Sequence, residues 1–232
     1  MFYEKYSGRM LRLFNRGHLE EERVIEWLKG IGIEISQVNL EGKQHHIIAS
    51  GGHVGGSTDG IGIKFPDRYG KNFPPILLEI KTQKDKKFNI LQGSGVIKEK
   101  PQHYVQMCVY GYKLGIQYAL YIAVNKEDDD LNIEIVELDW TLAHNYLERA
   151  DSIVKAQEPP KRISDNPSFW ICKYCSALAV CHHEASALRN CRSCRFAQPA
   201  DNKEWFCNRW NNVIPKEFIP VGCSKYESLP TK

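Results

Sequence analysis

Seven of the eight cysteines fall within the 52 residues from Cys172 to Cys223, and only Cys108 lies outside. The region that carries them has little apolar periodicity. A segment of that size cannot bury enough surface to hold itself together, so metal is its natural staple. In a reducing compartment, clustered cysteines read as metal ligands before disulfides. A cytoplasmic compartment is the expected one. The opening MFYEKYSGRM is charged from its fourth residue and lacks the apolar stretch of an export signal. The longest apolar run, Tyr118 to Val124, is too short to cross a membrane, so no membrane partner is expected.

The rest of the chain has the balance of a soluble globular protein, with 42% hydrophobic and 25% charged residues over 232 positions. Net charge is only +3, but it is unevenly placed. Lys161 to Lys232 holds eleven Lys or Arg against six acids, and Lys81 to Lys100 holds six Lys against Asp85 and Glu99. Glu127 to Asp139 is acidic. A basic tail and a basic loop on a near-neutral body suit a polyanion partner.

Residues 1 to about 30 read as a helix with Val24, Ile25, Trp27 and Leu28 on its apolar face, ended by Gly30 to Gly32. Short β-type runs follow at Ile33 to Leu40, His45 to Ser50 and Gly56 to Phe65. Ile76 to Thr82 has the continuous apolar character of a buried strand. A lysine-rich loop comes next. Pro101 opens a helix to about Gly115. Tyr118 to Val124 and Ile133 to Leu138 are further strands, and Trp140 to about Gln157 is a helix stopped by Pro159-Pro160. That pair marks the expected boundary between a domain at 1–158 and a cysteine-rich module at 161–232. The order predicts an α/β fold, a mixed central sheet flanked by helices.

Within this frame Asp59 and Glu79-Ile80-Lys81 carry chemistry. On a strand, Glu79 and Lys81 project to one face while Ile80 points to the other. An aspartate on a neighbouring strand can bring its carboxylate beside Glu79. Two adjacent carboxylates repel unless a cation sits between them, and hard oxygen ligands favour Mg²⁺ or Mn²⁺. A lysine two residues on can orient or deprotonate an attacking water, or stabilise charge on a phosphate. Tyr69 and Lys71 fit the loop joining the two strands. Gly17-His18-Leu19-Glu20-Glu21 opens the early amphipathic helix, with Glu21, or alternatively Glu22, as a further oxygen ligand. Glycines around Asp59, from Gly52 to Gly60, permit close approach of a ligand or of backbone. Gln106 and Tyr110 share a helix face, with Tyr104 near them in sequence. His45, His46 and His53 read as structural, and Cys108 as a small buried hydrophobe.

These residues together resemble the PD-(D/E)XK nuclease superfamily, and within it the RecB-like nucleases, over roughly residues 9 to 125. The first motif is similar in Gly17, His18 and Glu21, the second in Gly56 to Gly60 with Asp59, the third in Glu79 and Lys81, the fourth in Gln106 and Tyr110. The resemblance implies a restriction-endonuclease-like core and divalent-metal-dependent DNA cleavage with 3′-hydroxyl and 5′-phosphate products. Glu21, Asp59, Glu79 and the carbonyl of Ile80 would be metal ligands, and Lys81 would act on the water. It also implies exonuclease or end-processing action in recombination, repair or bacteriophage DNA metabolism, in a bacterial or phage-infected cell, with recombination or replication proteins as further partners. An inactive nucleic-acid-binding protein and a subunit of a helicase–nuclease machine are the competing expectations.

In the tail, Cys172, Cys175 and Cys181 are followed by His182 and His183, either of which can complete a zinc site. Cys191, Cys194, Cys207 and Cys223 form a second, four-thiolate set. Two zinc ions are therefore expected. The first spacing also resembles iron–sulfur nucleases, in which three late cysteines join one ahead of the nuclease core. This chain departs from that pattern, because no cysteine precedes Cys108; an iron–sulfur cluster sharing a cysteine of the second set is the alternative to zinc. Arg189, Arg192, Arg195, Trp205, Arg209 and Trp210 suit either a surface that stacks on a nucleic-acid strand or a module docked through its aromatics.

Overall fold

The computed structural model describes residues 6–67, 72–156, 158–183, 185 and 188–229. Tyr69, Lys71 and Gln157 lie outside the described residues. The chain divides into two compact units. One joins Tyr6–Ile47 to Gly55–Glu148, and the other joins Ile48–Val54 to the chain from Arg149 onward. Pro159-Pro160 falls inside the second unit.

The first unit opens with helix α1, Gly8–Gly30, whose Met10 amide donates to the Ser7 hydroxyl, a serine cap on an orphan donor. Strands β1 (Glu34–Ser36), β2 (His46–Ala49), β3 (Val54–Ser57), β4 (Gly60–Lys64) and β5 (Ile76–Gln83) follow. Next are helices α2 (Asp85–Ser94), α3 (Val96–Glu99) and α4 (Pro101–Leu114), then β6 (Tyr118–Asn125), β7 (Leu131–Glu137) and helix α5 (Trp140–Lys155). The central sheet has five strands in the order β1-β4-β5-β6-β7. Only β5 and β6 are parallel; the other neighbours run antiparallel. This is the mixed sheet flanked by helices that the element order predicts.

Alternation along β5 and β6 builds two cores. Ile76, Leu78 and Ile80 join Leu120, Ile122 and Val124 beneath Val24, Ile25 and Leu28 of α1. Leu77, Ala119, Tyr121 and Ala123 face the other way, against Phe88 and Leu91 of α2 and Met107 and Cys108 of α4. The period of two in the sequence thus becomes one apolar layer on each face of the sheet.

Three local expectations are corrected. The lysine-rich segment after Gln83 is helical, because Phe88 and Leu91 stand three apart and bury completely while the lysines face outward. Gly56 to Phe65 is not one strand but two, broken at Thr58-Asp59. There Thr58 donates its amide to the His45 carbonyl, and its own carbonyl accepts from the Gln44 side chain. The Gly17 to Glu21 motif lies in mid-helix, since α1 begins at Gly8.

The second unit holds two short helices, α6 (Trp170–Lys173) and α7 (Leu178–His182), and a three-stranded sheet of β8 (Ala197–Pro199), β9 (Trp205–Cys207) and β10 (Asn212–Val213). Segment 48–54 is bound into it. The Lys203 amide donates to the Gly51 carbonyl at 2.8 Å, and the His53 ring bonds the Ala200 carbonyl at 2.8 Å. Gly51 and Gly52 have φ of +63° and +92°, and side chains there would meet Asp201 and the Lys203 backbone. These two glycines admit neighbouring backbone. Among the described residues, no helix is long and apolar enough to cross a membrane.

Candidate functional site

The antiparallel register Gly60↔Leu78 and Ile61↔Leu77, continued by one residue, sets Asp59 opposite Glu79. The Ile80 amide donates to Asp59 Oδ2 at 2.7 Å and fixes that carboxylate. Glu79 and Lys81 share a face of β5, as strand alternation requires. Lys81 Nζ lies 2.7 Å from Glu79 Oε1 and 3.6 Å from Asp59 Oδ2, and it donates to the Ile80 carbonyl at 3.1 Å. Three oxygens expected as metal ligands therefore already enclose one cation, the lysine ammonium.

Helix α4 closes this face. Gln106 Nε2 is 3.3 Å from each Glu79 oxygen. Tyr110 sits against Gly56, where a side chain would overlap its hydroxyl, so this glycine makes room for the tyrosine. Tyr104 departs from expectation. Its hydroxyl donates to the Glu137 carbonyl at 3.0 Å, which engages it on β7 rather than at the carboxylates.

Glu79 is buried, and burial pushes its carboxyl up to about 7. Lys81 pulls it back, while Asp59 and Glu21 push it further. Burial works against the Lys81 ammonium, but the surrounding Glu79, Asp59 and Glu21 hold its pKa above the ordinary lysine value. Glu21 is half-buried on α1, while Glu22 is exposed. Burial first, and then the Asp59 charge, raise the Glu21 carboxyl, with Lys81 and His18 opposing. Its nearest ionic partner is His18 at 3.6 Å. Glu21 therefore feels the Asp59–Glu79–Lys81 cluster electrostatically without an ion pair to it. Among the described residues, no group of three or more His, Cys, Asp or Glu side chains is drawn together closely enough to hold a metal ion as it stands.

Sequence reasoning missed His103. It lies three residues before Gln106 and seven before Tyr110, on one helix face, and that spacing was the available signal. Its Nδ1 is 3.0 Å from the hydroxyl of Tyr121, which stands opposite Glu79 in the parallel register. Burial, then the Lys81 and Lys100 charges, lower its pKa to about 4. Of the three histidines read as structural, His45 bonds Ser36, His46 bonds Ser57 and His53 bonds the Ala200 carbonyl.

In the second unit, Cys191, Cys194, Cys207 and Cys223 line one cavity of about 270 Å³. Burial and then the other three sulfurs raise the Cys191 thiol. The pair Cys191 and Cys194 sits on a tight turn closed by the Cys194 amide on the Cys191 carbonyl, and Cys172 and Cys175 repeat that bond. All eight cysteines are free. His182 Nε2 is buried with no hydrogen-bond partner among the described residues. The basic and aromatic residues of the tail are largely spent on one another. Arg192 lies over Trp205, Arg195 and Arg209 over Phe196, and Arg189 over Tyr226. A cleft of about 680 Å³ lined by Ser50, Asp151, Lys155 and Asp201 includes none of the six expected catalytic side chains.

No protein-family model and no curated protein sequence matches the chain. A crystal structure of the protein SSO0001 is similar over 71% of this chain and 68% of that one, at 19% identity and a TM-score of 0.42.

Proposed function

We propose that the protein is a divalent-metal-dependent DNA nuclease that hydrolyses phosphodiester bonds, acting as an exonuclease or on DNA ends. The carrying observation is the convergence of Asp59, Glu79 and the Ile80 carbonyl on one cation. The donor set is all oxygen and includes two carboxylates, which suits Mg²⁺ or Mn²⁺. Glu21, which feels the Asp59 and Lys81 charges, is the candidate for a further ligand. The ion would polarise the scissile phosphate and offset charge on the attacking oxygen.

The chain's own residues do the rest. Asp59 is oriented by the Ile80 amide, and Glu79 by Gln106. With its protonation favoured by three carboxylates, Lys81 serves as a donor to developing phosphate charge rather than as a base. Tyr110 walls the site beside Gly56. The tail carries two structural zinc ions in this reading. Four thiolates line a single cavity, and the buried Nε2 of His182 needs a partner that Cys172, Cys175 and Cys181 would share through the metal. An iron–sulfur cluster on the first set is the competitor.

The test is incubation of the purified protein with linear and circular DNA in Mg²⁺ or Mn²⁺, alongside Glu79→Ala and Lys81→Ala. Cleavage lost in both variants supports the nuclease. Binding with no cleavage by the wild type supports a second reading, an inactive nucleic-acid-binding protein. One observation favours that reading: the Lys81 ammonium already neutralises the carboxylates.

A further inference from the structure

Two hydrogen bonds lie beside the proposed site, Lys100 to Gln83 and Tyr121 to His103, and their polarity follows from the chemistry of the groups. The Lys100 ammonium can only donate, so the Gln83 atom at 3.1 Å from it is the carbonyl oxygen. Tyr121 is wholly buried, so its hydroxyl proton needs an acceptor inside the protein, and His103 Nδ1 stands 3.0 Å away to take it. Nδ1 is therefore the unprotonated nitrogen. A neutral imidazole so held carries its proton on Nε2, which has no partner among the described residues. The burial of Tyr121, at 0% exposed, fixes this bond in the core.

The Tyr121–His103 pair lies beside the proposed reaction centre. His103 lies one turn before Gln106, which holds Glu79, and its partner Tyr121 is the cross-strand neighbour of Glu79. The Lys81 and Lys100 charges both reach the ring. Lys100 stands at the start of α4, within a hydrogen bond of Gln83.

We infer that His103, with Lys100 behind it, forms a phosphate subsite next to the Asp59–Glu79–Lys81 centre, in which Nε2–H donates to a non-bridging oxygen of a nucleic-acid phosphodiester. The inference rests on the nuclease reading and adds a substrate contact that none of its motif residues supplies. A neutral donor suits this place. It binds an oxyanion without adding a positive charge beside Lys81, and the bond from Tyr121 commits its single proton to the ligand side.

Two measurements test it on the full-length protein. In ¹⁵N-histidine NMR near neutral pH, His103 should be the Nε2–H tautomer, and Tyr121→Phe should release that preference. An Nδ1–H tautomer in the wild type overturns the inference. In fluorescence anisotropy with a labelled single-stranded oligonucleotide and Ca²⁺, His103→Ala should weaken binding about tenfold, the worth of one hydrogen bond to a charged acceptor. His103→Gln, whose amide N–H reaches the Nε2 position, should recover most of it. Wild-type affinity in His103→Ala refutes the subsite while leaving the nuclease reading standing. Failure of the wild type itself to bind the oligonucleotide refutes the nuclease reading, and the subsite with it.

Discussion

Replacing Glu79 by glutamine isolates the electrostatic cost of the carboxylate cluster. Glu79 is 1% exposed, and burial moves its carboxyl from 4.5 to about 7. In the unfolded chain the same group titrates near its ordinary value. Between these two pH values the folded protein keeps a proton that the unfolded chain has released. The stability this provides is complete below about pH 4.5 and is lost as pH rises through about 7. A displacement of roughly two and a half pH units corresponds to about 3 kcal/mol as an upper limit. Glutamine fits the same space and ionises at no pH. The stability of Glu79→Gln relative to wild type should therefore improve between pH 4.5 and 7.5, by up to that amount. Other groups that titrate in this range, Glu21 among them, affect both proteins and largely cancel in the difference. The assay is urea unfolding of both proteins at half-unit pH steps without divalent metal. Parallel stability curves would refute the argument, because they would mean that Lys81 offsets the burial of Glu79 entirely.

Gly56→Ala should cost about 1–3 kcal/mol in chemical denaturation, since its Cβ would overlap the Tyr110 hydroxyl and come within 2.8 Å of the ring carbon bearing it. Tyr110→Phe in the same chain should recover part of that loss; a Gly56→Ala variant as stable as wild type would show that the two do not pack. Leu91→Ala should cost about 2–5 kcal/mol because the side chain is fully buried, and a loss under 1 kcal/mol would contradict the packing of α2 on the sheet. Elemental analysis should find about two zinc per chain in a colourless sample. Chelation should lower the melting temperature, and Cys191→Ser with Cys207→Ser should remove one equivalent. A brown, iron-containing protein would replace zinc by a cluster at the first cysteine set.

The legible parts of the chain were those in which one local pattern settles both burial and chemistry. ILLEIKT is apolar enough to be a central strand, and its two charges fall on one face, so Glu79 and Lys81 could be placed before any coordinates. The register that brings Asp59 opposite Glu79 is a long-range pairing, and only the glycines around Asp59 hinted at it. Phe88 and Leu91 were hidden by the lysines between Lys84 and Lys100, whose charge suggests a loop although three-residue apolar spacing suggests a helix. His103 was passed over because an isolated histidine has no evident role until its buried partner is known. Tyr121 is separated from it by a helix end and a turn, and looks in sequence like sheet packing alone. In the tail the cysteines stood out in composition, but the places of the arginines did not. Their stacking on Trp205, Phe196 and Tyr226 depends on folds of the strand that no spacing rule supplies.

Because Ile48–Val54 belongs to the same compact unit as the chain beyond Arg149, neither unit is a continuous stretch of polypeptide. A fragment cut after Glu148 would keep Gly51 and His53 but strip them of Lys203 and Ala200, leaving a loose loop only a few residues upstream of Asp59. The tail is thus poorly suited to removal or exchange as a cassette. Any lineage that lost it would have to rebuild the segment leading into Asp59.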